Sequence, residues 1–509
     1  MRGLSKVVQL FALTMPFTFL AVGTVNGESR LTRVSGTSPF ANCSVLPLPG
    51  ETNYPNAEVE PWIAVNPRDT DHLIGVWQQD RWQFGGSRGL LTGVSRNGGK
   101  TWRRTFAHFS RCAGGSAANG GDYERASDPW VTFSPNGRAY QISLSFDDFD
   151  ANQAILVSRS RDGGDTWSEP TTLIFDTDPN VVDDKESITA DPRNSRFVYA
   201  VWDRLDFSAF PIVDGPVWFA RTTNGGASWE PARIIFDPGP NASTLSNQIV
   251  VLPDGTLVNL FDLFNNNGAF LAVIRSTDKG VTWSSPVIVN TLESVGIVDV
   301  KTGEPVRAGG IPNIAVNRKN GTLYVVWEDA RFSGLLRDGI VLSKSMDGGF
   351  TWSSPVQVNQ APNVQAFTPS IAVARNGGLA ITYYDFRKDT PNPATLKTNY
   401  WRITSHDEGN TWHEIPLAHS FDMRTAPVAI GGFFVGDYQG LARTEDSFTP
   451  FFVLANSGNI LNRTDVFVIS AEEEGDTSEN GHEENNSHPQ SLQERMLSYR
   501  ERRPPAMHR

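Results

Sequence analysis

An eight-residue turn recurs six times in this chain and restricts it to folds built from β-hairpins. In the fifth copy it reads Ser345-Met346-Asp347-Gly348-Gly349-Phe350-Thr351-Trp352. The other copies start at Ser95, Ser160, Thr222, Ser276 and Ser405, and end at Trp102, Trp167, Trp229, Trp283 and Trp412. The common pattern is S/T-x-D/N-x-G-x-S/T-W. A short Asp or Asn side chain accepts backbone N–H bonds inside a tight turn. Gly takes the positive-φ position. The Trp folds back and buries a large apolar face. Largely alternating apolar residues lead into each copy, as in Gly339-Ile340-Val341-Leu342-Ser343. Each copy is therefore a hairpin connector.

The box tryptophans lie 54 to 69 residues apart, and each interval holds about four strand-like runs. A four-stranded unit repeated at that period predicts an all-β fold, a β-propeller. First strands align at Glu60-Pro61-Trp62-Ile63, Asp128-Pro129-Trp130-Val131, Glu186-Ser187-Ile188, Asn247-Gln248-Ile249, Asn313-Ile314 and Ser370-Ile371, with a seventh at Gly436-Asp437-Tyr438. Second strands recur between them. The count is seven blades, with six as the alternative. The last third strand, Asp465 to Ser470, has no fourth strand after it. The N-terminal segment Phe40 to Pro47 is the expected donor, which would close the last blade from both ends of the chain and remove its open edges.

The turn is the Asp-box, or BNR repeat, and on these six copies the chain resembles the sialidase superfamily. The resemblance implies a propeller enzyme that binds an acidic sugar. Three Arg would hold the sugar carboxylate, an Asp would act as acid/base, and a Tyr activated by a Glu would be the nucleophile. The Arg-Ile-Pro segment that sialidases usually carry ahead of the first box is absent. Val59-Glu60-Pro61-Trp62 stands in that part of the chain. Site residues are therefore assigned from strand position alone.

Loops from fourth to first strand and from second to third strand share the face around the channel mouth, opposite the boxes. Second strands end in Trp77-Gln78-Gln79-Asp80-Arg81, Trp202-Asp203-Arg204, Trp327-Glu328-Asp329-Ala330-Arg331 and Tyr384-Asp385-Phe386-Arg387. Arg81, Arg204, Arg331 and Arg387, with Glu60, Asp80, Asp203, Asp329 and Asp385, are the candidate substrate-binding set. Asp128, Glu186, Asp437 and Tyr438 are the candidate acid, base and nucleophile. Glu58, Glu124, Arg125, Asp183, Asp184, Lys185 and Arg307 also stand at first-strand starts. The competing reading makes each Asp–Arg pair a strut between blades, which repetition from blade to blade favours.

The net charge of −12 and a pI near 5.2 argue against nucleic acid and anionic membranes as partners. Arg2 and Lys6, followed by a mostly apolar run from Val7 to Val25, read as a signal peptide over residues 1–27. The propeller domain is expected over 38–471 and a charged, disordered tail over 472–509. In a secreted protein Cys43 and Cys112 can pair, the alternative being two free thiols. Sequons at Asn42, Asn241, Asn320, Asn462 and Asn485 are compatible with glycosylation. No cofactor or metal motif is present. Asp147-Asp148-Phe149-Asp150 offers oxygens to a structural Ca²⁺ or is simply an acidic loop. The expectation is a secreted, monomeric, glycan-active protein, an exo-glycosidase on terminal acidic sugars. The alternatives are a non-catalytic propeller that binds glycan or protein, and a lyase acting on uronate-containing polysaccharides.

Overall fold

A computed structural model describes residues 31–210 and 213–470. The expected signal peptide and the tail lie outside the described residues. Apart from three short 3₁₀ turns, the regular structure of the described chain is all β. No described helix is long and apolar enough to cross a membrane.

Four-stranded antiparallel meanders follow one another along the chain. Sheet 1 runs Glu58–Asn66, Asp69–Arg81, Ser87–Ser95 and Arg103–Thr105. Sheet 2 begins at Arg125–Phe133 and touches sheet 1 through the single pair Ser87–Ala126. Sheets 3 to 6 begin at Val181–Ala190, Ser243–Val251, Asn313–Val316 and Ala366–Val373. Sheet 7 consists of Gly440–Thr444, Ser447–Ala455 and Thr464–Ile469, and its fourth strand comes from Leu31–Arg33.

That strand corrects the expected donor. Leu31 pairs with Ile469 and Arg33 with Phe467. Phe40 to Pro47 forms no strand. Two prolines flank it, and the Cys43–Cys112 disulfide, with a Cα–Cα distance of 5.2 Å, ties it to the connection between sheets 1 and 2. The strand also lies ahead of the expected domain start at residue 38.

The Asp-boxes close the hairpins as their chemistry requires. Asp347 Oδ1 accepts from Phe350 N and Thr351 N, both at 3.0 Å, and its Oδ2 accepts from the Thr351 hydroxyl at 2.6 Å. The Ser345 hydroxyl bonds Asp347 at 2.8 Å. Strand register puts the boxes at one end of each sheet, with Ser95 opposite Leu73, while Glu58 and Gln79 pair at the other end.

The core is a series of layers between neighbouring sheets. Tyr199 and Phe219 of sheet 3 pack with Ile249 and Leu257 of sheet 4. Val258 and Leu260 of sheet 4 pack with Ile314 and Trp327 of sheet 5. Leu73 and Trp77 of sheet 1 pack with Phe451 and Val468 of sheet 7. Second-strand tryptophans are buried outright, and each indole N–H finds an acceptor two residues on or on the strand beside it. Trp77 donates to Gln79 at 3.1 Å, Trp202 to Asp183 at 3.1 Å and Trp327 to Asp329 at 2.8 Å.

The first and last sheets meet at Gly75. A Cβ there would stand 2.2 Å from Cζ of Phe451. Gly75→Ala is expected to overpack this layer by about 1–3 kcal/mol and lower the thermal midpoint. Phe451→Leu in the same chain should recover part of the loss. Full stability of Gly75→Ala alone would show that the two sheets do not pack face to face.

Candidate functional site

Inner strands begin with a bulge. The register shifts between Val59 and Trp62, Ser127 and Trp130, Asp184 and Ser187, Leu245 and Gln248, and Phe367 and Ser370. Within each bulge one non-glycine residue has positive φ: Glu60 (54°), Asp128 (50°), Lys185 (49°), Ser246 (68°) and Thr368 (51°). Such backbone is costly for a side chain with a Cβ and clusters where a structure serves function.

Three of these residues, from three consecutive sheets, meet. Lys185 Nζ lies 2.9 Å from Asp128 Oδ1, 3.7 Å from Asp184 Oδ1 and 3.8 Å from Glu60 Oε1. It is also 2.9 Å from Asp437 Oδ2. Asp437 comes from just ahead of the last inner strand and receives Arg307 Nε at 2.9 Å. Arg307 arrives on a separate small sheet, where Pro305–Arg307 runs parallel to Gly432–Phe434. Two glycines permit this approach. A Cβ on Gly309 would stand 2.5 Å from Asp437 Cβ, and one on Gly436 would stand 2.8 Å from Glu60 N. Arg81, the last residue of the second strand of sheet 1, donates to Gln78 Oε1 at 2.7 Å. Arg81 and Arg307 both lie against the Phe434 ring, at 4.9 and 4.7 Å.

Burial and neighbouring charge separate the protonation states. Burial, with Asp128 nearby, pushes the Glu60 carboxyl up to about 8. Burial also opposes ionisation of Asp437, but Arg307 and Lys185 overcome it and hold this carboxylate well below the usual range. Lys185 does the same for Asp128 and is itself held protonated by Asp128, Asp184 and Asp437 against the cost of burial. These shifts favour a proton on Glu60 and ionised Asp128 and Asp437, while burial raises Asp184 from its ordinary value. Glu60, Asp128 and Asp437 are buried, while the side chains of Arg307 and Asp184 remain 26% and 31% exposed.

Tyr438 and Glu186 flank this cluster. The Tyr438 hydroxyl donates to the Pro129 carbonyl at 3.1 Å, and burial pushes its pKa well up. Its ring lies edge-on to Trp62 and Trp130, which stack with centroids 3.4 Å apart. Glu186 accepts from Leu144 N through one oxygen and has no partner for the other; burial raises its pKa well above the usual range.

The structure does not bring the four expected arginines together. Arg81 alone reaches the cluster. Arg204 pairs with Asp176 on the outer strand of sheet 2 and lies over Trp218. Arg331 bonds Asp329 at 2.7 Å and reaches Asn290 and Thr291 on the outer strand of sheet 4, at 2.6 Å each. Arg387 bonds Asp385 and Glu414 and lies 3.8 Å from the Trp401 ring. Asp203 accepts from Thr244 Oγ1 at 3.1 Å and Ser246 N at 2.8 Å, tying sheet 3 to sheet 4. Asp80 accepts from Ser38 Oγ at 2.6 Å and Asn56 N at 2.7 Å. These residues brace sheets.

In the acidic loop, Asp148 pairs with Arg125 and Asp147 lies 3.3 Å from Arg111. No group of three or more metal-ligating side chains occurs among the described residues. A cleft of about 710 Å³ opens beside the disulfide, between Leu46, Arg111, Glu124 and Phe149, and contains none of the expected site residues.

Lys185, Asp184 and Arg307 carry no assigned role in the sequence reading, which places all three at first-strand starts; Arg307 instead lies on the small separate sheet. A signal was present for Lys185: it is a lone cation in Asp183-Asp184-Lys185-Glu186.

No family model matches the chain. In sequence it is 24% identical over 324 residues to a sialidase of Micromonospora viridifaciens, covering 56% of this chain and 44% of that protein. It is 26% identical over 290 residues to a xyloglucanase of Paenibacillus sp, covering 52% of this chain and 24% of that enzyme. The matched stretch thus spans less than half the length of these curated relatives. Among solved structures, the Hadza microbial sialidase Hz136 aligns with a TM-score of 0.45 at 14% identity, over 80% of this chain and 75% of that one. A Penicillium chrysogenum alpha-L-arabinanase aligns with a TM-score of 0.42 at 14% identity, over 68% and 94%. The chain is similar to sialidases and other glycoside hydrolases.

Glu60 generates a pH prediction. With its folded pKa near 8 and an ordinary value of 4.5, the folded chain keeps a proton that the unfolded chain releases between those values. Stability attributable to this group therefore falls as pH rises through that window. Glu60→Gln removes the effect. Its stability relative to wild type should improve from pH 5 to pH 8, by up to about 1 kcal/mol per pH unit. Chemical denaturation at several pH values reads this out, and a constant difference would mean that Glu60 is ionised throughout.

Proposed function

We propose that this chain is a secreted propeller glycoside hydrolase that removes terminal sugars at the mouth of its channel. The observation that carries the reading is the Glu60–Asp128–Lys185–Asp437 cluster, whose members are drawn from separate sheets. Most glycoside hydrolases use one carboxylic acid that keeps its proton and one carboxylate that does not. Glu60 has the environment of the acid. Asp128 and Asp437 have the environment of ionised groups, and Asp128 is the candidate base or nucleophile. Lys185 keeps them ionised and positions them. Sequence similarity to a sialidase and a xyloglucanase supports the same class of reaction.

The fold belongs to the proposal. The sheets are read as seven blades of one ring closed by Leu31–Arg33. Pairing of that strand with the last sheet, and packing of the inner strands of the first and last sheets against each other, support this count. Secretion is supported by the Cys43–Cys112 disulfide.

The charge balance bears on the substrate. Lys185 and Arg307 are already paired with carboxylates, and Arg204, Arg331 and Arg387 are engaged elsewhere. A neutral terminal sugar is favoured. An acidic sugar is the second reading, carried by the partial exposure of Arg307.

The test is a panel of fluorogenic glycosides, including an α-L-arabinofuranoside, an α-sialoside and a β-glucuronide, with folded Asp128→Asn and Lys185→Met beside wild type. Wild type should turn over at least one substrate, the neutral one fastest, with each variant slower by about 100-fold or more. A faster α-sialoside would instead support the second reading. Retention of wild type on a glycan array with no turnover would overturn hydrolysis in favour of a binding propeller. An unsaturated, ultraviolet-absorbing product from a uronate polymer would make it a lyase.

A further inference from the structure

The second strand of sheet 1 carries two adjacent buried glutamines, Gln78 and Gln79. Gln78 is the one that reaches the carboxylate cluster. Its Nε2 donates to Glu60 Oε2 and to Ser127 Oγ, the latter at 3.1 Å, and its Oε1 accepts from Arg81 at 2.7 Å. These partners fix the direction of the amide. A guanidinium donates and never accepts, so the atom of Gln78 that faces Arg81 is the oxygen. A flipped amide would set its NH₂ group against the guanidinium and its oxygen against a carboxyl oxygen. Glu60 Oε2 therefore receives an N–H.

The two carboxyl oxygens of Glu60 are thus unequal. Oε2 is held by Gln78. Oε1 meets the Asp437 N–H at 3.4 Å and lies 3.8 Å from Lys185 Nζ. In a neutral carboxyl group the carbonyl oxygen is the better acceptor, so the oxygen that receives the amide N–H is the poorer place for the proton. The proton belongs on Oε1.

Other sheets place a different group at this step. The residue after the second-strand tryptophan is Gln78 in sheet 1, Asp203 in sheet 3 and Glu328 in sheet 5. Asp203 and Glu328 each accept the backbone N–H of a bulge residue in the next sheet, Ser246 at 2.8 Å and Thr368 at 2.7 Å. In sheet 1 the bulge brings a carboxyl, Glu60, against this position. A carboxylate there would oppose it, whereas an amide donates to it. The same amide reaches Ser127, the residue before Asp128. One buried side chain thus joins the strand of the candidate acid to the strand of the candidate base.

We propose that Gln78, with its amide fixed by Arg81, is a positioning residue of the reaction: it holds Glu60 Oε2 as an acceptor and keeps the proton of the candidate acid on Oε1, the oxygen that faces Lys185 and the Asp437 N–H. Its part in a reaction rests on the hydrolase reading above; the hydrogen-bond arrangement does not. Glu60 also faces Asp128 on sheet 2, Lys185 on sheet 3, Asp437 and Tyr438 ahead of sheet 7, Arg307 on the small sheet and Arg81 on its own sheet. All of these stay in place in the variants below. A donor to a carboxylate favours the ionised form, so removing it raises the pKa of Glu60.

Chemical denaturation between about pH 5 and pH 10 is compared within pairs of chains with and without Glu60→Gln, and the pH at which the difference levels off reads the folded pKa of Glu60. Adding Gln78→Met to both chains should move that point up by about one pH unit. Gln78→Glu, which keeps an acceptor for Arg81 and serves if the first variant does not fold, should move it further. Gln79→Met removes a donor from Glu58, on the opposite face of the strand, and should leave the point where it is. With a glycoside that wild type hydrolyses, Gln78→Met should shift the alkaline limb of kcat/KM upward and lower kcat by about tenfold or more. A merely structural role would lower activity without moving the limb. An unmoved levelling point in both Gln78 variants, or an equal movement in Gln79→Met, overturns the proposal. If wild type hydrolyses no glycoside in the panel, the hydrolase reading fails and the part of Gln78 in a reaction falls with it, while the denaturation pairs still decide whether Gln78 orients Glu60.

Discussion

A four-stranded sheet has two faces and cannot bury either by itself. In this chain that constraint is met by each sheet covering its neighbour, so the apolar layers alternate with sheets along the whole chain. The box turns are the local device that makes repetition possible. Each fixes one hairpin through the same Asp or Asn and Ser or Thr bonds, leaving the sheet faces free for packing. The sheets are then held apart by fixed thicknesses of side chain, and the first strands of neighbouring sheets pack against one another. The inner-strand bulges follow from that placement. Adding a residue at the strand start turns Glu60, Asp128 and Lys185 out of the normal alternation, and three sheets contribute to one charged cluster.

Much of the architecture was legible in the sequence because it repeats. Six boxes and a recurring Trp at the second-strand ends set the period, and the strands fall where that period puts them. Leu31-Thr32-Arg33 was not legible as the partner of Thr464–Ile469. Three residues carry no alternation long enough to read, whereas Phe40 to Pro47 stood ahead of the first sheet with nothing else to pair with. Its cysteine and flanking prolines fix it in another role.

The site was legible in part. Carboxylates at first-strand starts pointed to Glu60, Asp128 and Asp437, and the structure gathers these three. The arginines two positions after Asp329 and Asp385 were equally visible, yet that spacing lets each close locally on its own aspartate. Sequence shows the pair without showing whether it faces the channel or the sheet. Lys185 was obscured for another reason. Its direction depends on a positive φ that no residue type announces, and its partners lie on sheets far apart in the chain. Arg307 belongs to no blade repeat, so periodicity could not single it out.

The charges at the strand starts show what a crowded interior tolerates. At strand starts the bulges turn side chains into a crowded interior, where an ion survives only with a partner. The cluster there is accordingly balanced: Lys185 and Arg307 neutralise Asp128 and Asp437, and Glu60 escapes ionisation by keeping its proton. The balanced end can separate protonation states for chemistry because its charges are fixed by one another.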